Sequence, residues 1–283
     1  MGVMLFLARR FVAGETIEGA TEATGALNEK RIHVTLDILG ENVTNEAEAG
    51  ALADGYIGLL DEIALRKLDA NVSIKLTMMG LEIGDSFCRS NVERILRKAE
   101  QQGNFVRVDM EGSAYTQRTL DLFYDMYRAH PKNVGIVLQS YLYRTEKDVE
   151  EAIKAGCRVR LCKGAYKEPK DVAYPNKDDV NAAYVRQMKR LMEAGNYPGI
   201  ATHDIEIIQE AKEFAKGRGI GPERFEFQML YGIRRDVQAK LAADGYNMRV
   251  YVPYGTAWFP YFYRRMRERK ENVLFVLRHM FSG

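Results

Sequence analysis

Two arginines stand side by side near the C-terminus, and their neighbours share a helical face with them. In YFYRRMRE, Tyr261, Arg264, Arg265 and Glu268 fall at i, i+3, i+4 and i+7, so a helix there gathers a phenol, two guanidinium groups and a carboxylate along one side. Guanidinium forks recognise carboxylates or phosphates through paired hydrogen bonds, and a glutamate close by holds such a fork in position. The competing reading is a solvated basic helix end, to which Arg267, Arg269 and Lys270 also belong. A second set of polar residues ends a series of apolar runs: Lys75, Asp109, Gln139, Arg160 with Lys163, Thr202 with His203 and Asp204, Gln228 and Tyr251. Any one of these fits a structural ion pair. Recurrence over consecutive runs points to a site, because an unpaired buried charge is costly. In RLCKGAY, Arg160 to Tyr166, a glycine lies between cations where backbone could approach an anionic ligand. His203 reads equally as a base, a ligand or a hydrogen-bonded core histidine, and the aromatic cluster WFPYFY mostly as packing.

Other chemistries lack their residues. The four histidines, His33, His130, His203 and His279, show no metal-ligand spacing, so no metal site is expected. Neither GxGxxG nor GxxxxGK[ST] occurs, which removes support for a Rossmann or P-loop nucleotide site. Lys+Arg number 41 against 39 Asp+Glu, without a basic block, so nucleic acid is not an expected partner. The three cysteines, Cys88, Cys157 and Cys162, form no CxxC, and disulfides are not expected. The apolar opening MGVMLFLA is far shorter than the roughly 20 residues of a membrane span.

The elements that must position these groups alternate along the chain. Short β-branched runs begin near His33, Val72, Phe105, Gly135, Val159, Gly199, Phe225 and Met248, with helix-like segments between them and another helix from about Trp258. Strands separated by helices and buried on both faces imply a parallel sheet. Eight such units in 283 residues imply an α/β fold of the closed (β/α)8 TIM-barrel type, with its site at the C-terminal strand ends. One domain, 1–283, is expected, with an N-terminal helical arm over 1–31, the barrel over 32–283, and a terminal substrate-binding helix after the eighth strand.

Taken together, SIKLT, FVRVDME, VLQSYLYRTEKDV, RLCKGAYKEP, ATHDIEII, FEFQMLYGIR, RVYVPYG and YFYRRMRER resemble, in order, the proline dehydrogenase family in its short monofunctional bacterial form. The resemblance runs along nearly the whole chain from about Phe11. It implies oxidation of L-proline to 1-pyrroline-5-carboxylate by hydride transfer to FAD, the first step of proline catabolism. It further implies Arg264, Arg265 and Lys75 as the carboxylate clamp, Glu268 as its support, and Tyr251, Tyr261 and Leu230 around the ring. Asp109 and Arg160 are implied as catalytic groups, Arg160 beside the flavin's reactive nitrogen. Met110, Gln139, Arg160, Lys163, Gly164, Ala165, Tyr166, Thr202 and His203 are implied as flavin contacts. By the same resemblance, electrons pass to membrane quinone, a separate pyrroline-5-carboxylate dehydrogenase takes the product, and the protein is cytoplasmic, peripherally attached to the inner face of the cell membrane. Cys162 departs from the family's aliphatic residue, and Lys167 from the tryptophan of the long bifunctional enzymes. A Schiff-base lyase using Lys75 or Lys163, a barrel kept as a binding module, and oxidation of hydroxyproline are the competing readings; the bulk of Tyr251 argues against the last.

Overall fold

The computed structural model describes residues 10–40 and 42–268, the last five of these as helix backbone only. Eight parallel strands close into a barrel in sequence order: β1 His33–Ile38, β2 Ala70–Ile74, β3 Val106–Val108, β4 Val134–Gln139, β5 Arg158–Cys162, β6 Gly199–Ala201, β7 Glu226–Leu230 and β8 Asn247–Tyr254. Each of the eight runs read from the sequence is one of these strands. The helices are α1 Ile17–Asn28, α2 Glu46–Leu65, α3 Asp85–Gln101, α4 Ser113–Ala129, α5 Thr145–Ala155, α6 Lys177–Ala194, α7 Ile205–Arg218, α8 Arg235–Ala243 and α9 Trp258–Glu268. Their ends carry local signals. The Asn45 and Asp204 side chains accept backbone N–H groups at the starts of α2 and α7, while α5 and α7 stop on Gly156 and Gly219 in left-handed conformation.

Both faces of the strands are buried, as expected, but the two faces differ in kind. Val34, Leu36, Val72, Ile74, Val106 and Val108 point outward into the main apolar core under the helices. The alternate residues point into the barrel, and many are polar or charged: Thr35, Asp37, Ser73, Arg107, Arg160, Glu226 and Gln228 are all buried there. Two small positions make room for them. A Cβ on Gly135 would lie 2.5 Å from Arg107 Nη1, and one on Gly199 would lie 2.4 Å from Gln228 Nε2.

The N-terminal segment is part of the helical ring rather than an arm outside it. Helix α1 packs on both β1 and β8, with Ala20, Thr21 and Thr24 buried, and so covers the seam where the barrel closes. Tyr261 and Phe262 on α9 pack with Phe11, Val12, Leu39 and Ile233 in a separate apolar cluster, which Leu230 and Trp258 join. Ala13 N–H donates to Pro253 O at 2.9 Å, and Trp258 Nε1 donates to Glu15 at 3.0 Å, tying the two ends of the chain together.

Candidate active site

A cavity of about 970 Å³ is lined by residues from the C-terminal ends of the strands. Its floor is a network centred on Arg160, which is 6% exposed. The guanidinium donates to Gln228 Oε1, to Asp109 Oδ1 at 2.9 Å, to Ser73 Oγ at 3.2 Å and to Thr35 Oγ1 at 3.3 Å. Asp109 also accepts from Ser73 Oγ at 2.6 Å and, on its other oxygen, from the Tyr251 hydroxyl at 2.8 Å. Burial, then the Asp109 and Asp37 carboxylates, raise the Tyr251 phenol well above its ordinary range, so it remains a donor at neutral pH. Arg160 also lies over the Tyr251 ring, 5.3 Å from its centroid. The floor is held rigidly and its carboxylate is already occupied.

Beside it, Lys75 Nζ donates to Asp37 Oδ1 at 2.7 Å, and the Tyr56 hydroxyl reaches the same oxygen at 3.4 Å from α2. Burial disfavours the Lys75 ammonium, but Asp37, Asp109 and Glu111 outweigh it and raise the amine above its ordinary value. Lys163 is also engaged, donating to Asp204 Oδ2 at 2.8 Å and to Asn181. A Schiff-base lysine needs a free neutral amine. Lys75 is instead held as an ammonium, and Lys163 is engaged by a carboxylate and an amide, so neither suits the lyase reading.

The other wall is built from the loops after β3, β4, β5 and β6. Gln139 Nε2 donates to Glu111 O at 2.7 Å, while its buried Oε1 has no hydrogen-bond partner among the described residues. Met110, Cys162, Lys163, Gly164, Ala165, Tyr166, Thr202 and His203 line the same space. The glycine of the KGA turn has a specific cause: Gly164 has φ +112°, and a Cβ there would lie 2.3 Å from the Tyr141 ring. Its missing side chain serves Tyr141 packing, where the sequence had pointed to close approach of a ligand. His203 Nε2 accepts from Leu230 N–H at 2.9 Å, which puts the proton of the neutral ring on Nδ1. Burial of Cys162 pushes its thiol up to about 12, despite Arg160 nearby, so it is not a nucleophile at neutral pH.

Lys75, Asp109, Met110, Gln139, Arg160, Lys163, Gly164, Ala165, Tyr166, Thr202, His203, Leu230, Tyr251 and Tyr261 thus share one cavity. Arg264, Arg265 and Glu268 fall on α9, but their side chains lie outside the described residues. Two acids escaped the sequence reading. Asp37 lines the cavity and carries the Lys75 pair, and the alternation in HVTLDI, which sets Thr35 and Asp37 on one face, was the available signal. Glu111, 6% exposed, accepts from Thr77 Oγ1 at 3.0 Å and supports Gln139 from behind. Burial, against opposing contributions from Thr77 and Lys75, pushes its carboxyl up to about 7.

The family model for proline dehydrogenase matches residues 20–278. A proline dehydrogenase of Deinococcus radiodurans is 44% identical over 98% of this chain and 91% of its own length. Proline dehydrogenase 2 of Bacillus subtilis is 40% identical over 96% and 90%. Among solved structures, proline utilization A from Bdellovibrio bacteriovorus, inactivated by N-propargylglycine, superposes with a TM-score of 0.86 at 26% identity. That match covers 93% of this chain, which spans 33% of the larger protein.

Proposed function

The chain belongs to the proline dehydrogenase family, and from that membership we propose that it oxidises L-proline to 1-pyrroline-5-carboxylate with FAD as the bound hydride acceptor. The observation that carries this reading is the Arg160–Asp109–Tyr251 network beneath a cavity far larger than a five-membered ring acid needs. The residues present fit a flavin. Gln139 offers a buried acceptor that no protein donor meets, as a ring N–H requires, and Arg160 offers a buried cation. Met110, Lys163, Gly164, Ala165, Tyr166, Thr202 and His203 would hold the group. When bound, FAD supplies a two-electron acceptor for the hydride on the ring carbon next to nitrogen.

The chain's own contribution is orientation and charge. Arg264 and Arg265, supported by Glu268, bind the substrate carboxylate, and Tyr261, Leu230 and Tyr251 confine the ring. Lys75 contributes as a third cation, softened by Asp37. Arg160 presents positive charge where electrons arrive, and Asp109 fixes Arg160 and Tyr251 in register. The bulk of the Tyr251 ring favours proline over its hydroxylated analogue. Electrons continue to membrane quinone from a cytoplasmic enzyme attached peripherally to the inner membrane face, and a separate pyrroline-5-carboxylate dehydrogenase consumes the product. Among the described residues, no helix is long and apolar enough to cross a membrane.

Anaerobic addition of L-proline to the FAD-loaded protein tests the reading. Loss of the oxidised flavin band with L-proline and not with D-proline is expected; absence of flavin binding after reconstitution would overturn it. The clamp has its own test. A ring acid with oxygen in place of nitrogen should inhibit competitively without bleaching, while prolinamide should bind much more weakly because it leaves guanidinium charge unmatched. Equal inhibition constants would remove the arginine clamp.

A further inference from the structure

Among the described residues, the charged side chains inside the barrel pair off with one exception. Asp37 meets Lys75, Asp109 meets Arg160, and Glu226 meets Arg249 at 2.8 Å. Arg107 has no carboxylate within salt-bridge distance among the described residues. Its Nη1 donates to two backbone carbonyls, Ile136 O at 3.1 Å and Arg158 O at 2.6 Å, and its buried Nε has no hydrogen-bond partner among the described residues. The side chain is 4% exposed and lies 4.9 Å from the Phe105 ring centroid. Register puts it one inward-facing layer below Arg160: Arg107 pairs with Gly135, and Arg160 with Val137 two residues further along β4. Gly135 exists in that layer because any Cβ would strike the guanidinium.

A buried cation without a carboxylate is expensive, and a strand glycine given up to house it adds to the cost. Burial and then Arg160, with Arg249 and Arg158 adding and Glu226 opposing in part, pull the Arg107 guanidinium well below its ordinary value, although arginine still stays protonated at neutral pH. Among the described residues the three interior pairs cancel, so Arg107 leaves a positive charge one layer beneath the cavity floor.

We propose that Arg107, without touching substrate or cofactor, acts as a positioning residue for charge, its cation, which no carboxylate meets directly, favouring the negative charge gained in the cavity above Arg160 and so raising the reduction potential of the bound flavin. The inference rests on the flavin reading above. Removing a charge one layer down, at an effective dielectric near 20, changes the reduction equilibrium by about three- to tenfold.

The test is the midpoint potential of the FAD-loaded protein, measured by reductive titration against indicator dyes. Arg107→Gln should shift the equilibrium toward the oxidised form by about three- to tenfold, tenfold being about 30 mV for a two-electron couple. Arg107→Lys, which keeps the charge, should stay within about twofold of the parent. Glu226→Gln removes an interior anion and should shift the potential the opposite way, an outcome that loss of packing does not mimic. If Arg107→Gln does not fold, the lysine and Glu226 variants decide. An unchanged potential in a folded Arg107→Gln, or a Glu226→Gln potential that falls or stays constant, overturns the proposal. A parent protein that binds no flavin overturns the flavin reading first, and the two failures are told apart by the parent's absorbance.

Discussion

Asp109 shows how a single carboxylate can be committed before any substrate arrives: Arg160 and Ser73 occupy one oxygen and Tyr251 the other. Tyr251→Phe keeps the ring and loses a hydrogen bond to a charged group, so it should destabilise the fold by about 1.5–3 kcal/mol in urea denaturation without gaining activity on hydroxyproline. Tyr251→Ser removes the ring as well and should gain that activity while binding proline less tightly; a serine variant with unaltered substrate preference would contradict the steric assignment. Glu111 gives a pH signature. Its folded-state carboxyl titrates at about 7, above its ordinary value, so the folded protein keeps a proton that the unfolded chain releases. That contribution is complete below the unfolded pKa and is lost as pH rises through 7, at a cost of up to about 3 kcal/mol. Denaturation at pH 5, 6, 7 and 8 should show this decline in the parent and its absence in Glu111→Gln.

At the scale of elements, the loop after β5 depends on one backbone conformation. Gly164→Ala puts a methyl into the Tyr141 ring at a positive φ and should destabilise the protein by about 1–3 kcal/mol, with weaker FAD retention on gel filtration. A variant that matches the parent in both measurements would show that Tyr141 yields easily. The strands themselves were legible because the outward row of each, such as Val34 with Leu36 or Val72 with Ile74, carries the apolar signal even when its neighbours are polar. The same alternation held the interior: Thr35 and Asp37, or Arg107 and Asp109, share a face two residues apart. Asp37 was missed because HVTLDILG does not end on a polar residue, so only the alternation inside the run reports it. Glu111 was hidden differently, since nothing in its sequence neighbourhood reports that Thr77 and Gln139 converge on it.

For the molecule as a whole, the count of eight strand–helix units announced a closed barrel, but not which helix covers the seam between β8 and β1. The first helix looks like an appendage in the sequence, and only the geometry of the β8–β1 seam makes it part of the wall. Ala20→Arg, at a position with no exposure, should therefore cost about 3–5 kcal/mol and lower Tm by roughly 10 °C; a loss below about 1 kcal/mol would mean that α1 is dispensable cover. The seam also sets a timetable for synthesis. Helix α1 leaves the ribosome about 220 residues ahead of β8, one of the two strands it must cover. At about 5–20 residues per second, its apolar side waits on the order of ten seconds or more for that surface. The cluster joining Phe11 and Val12 to Tyr261 and Phe262 waits longer still. A nascent chain stalled before β8 therefore has an unfilled seam and no roof over its cavity, which makes it a natural client for chaperones until β8 and α9 have emerged.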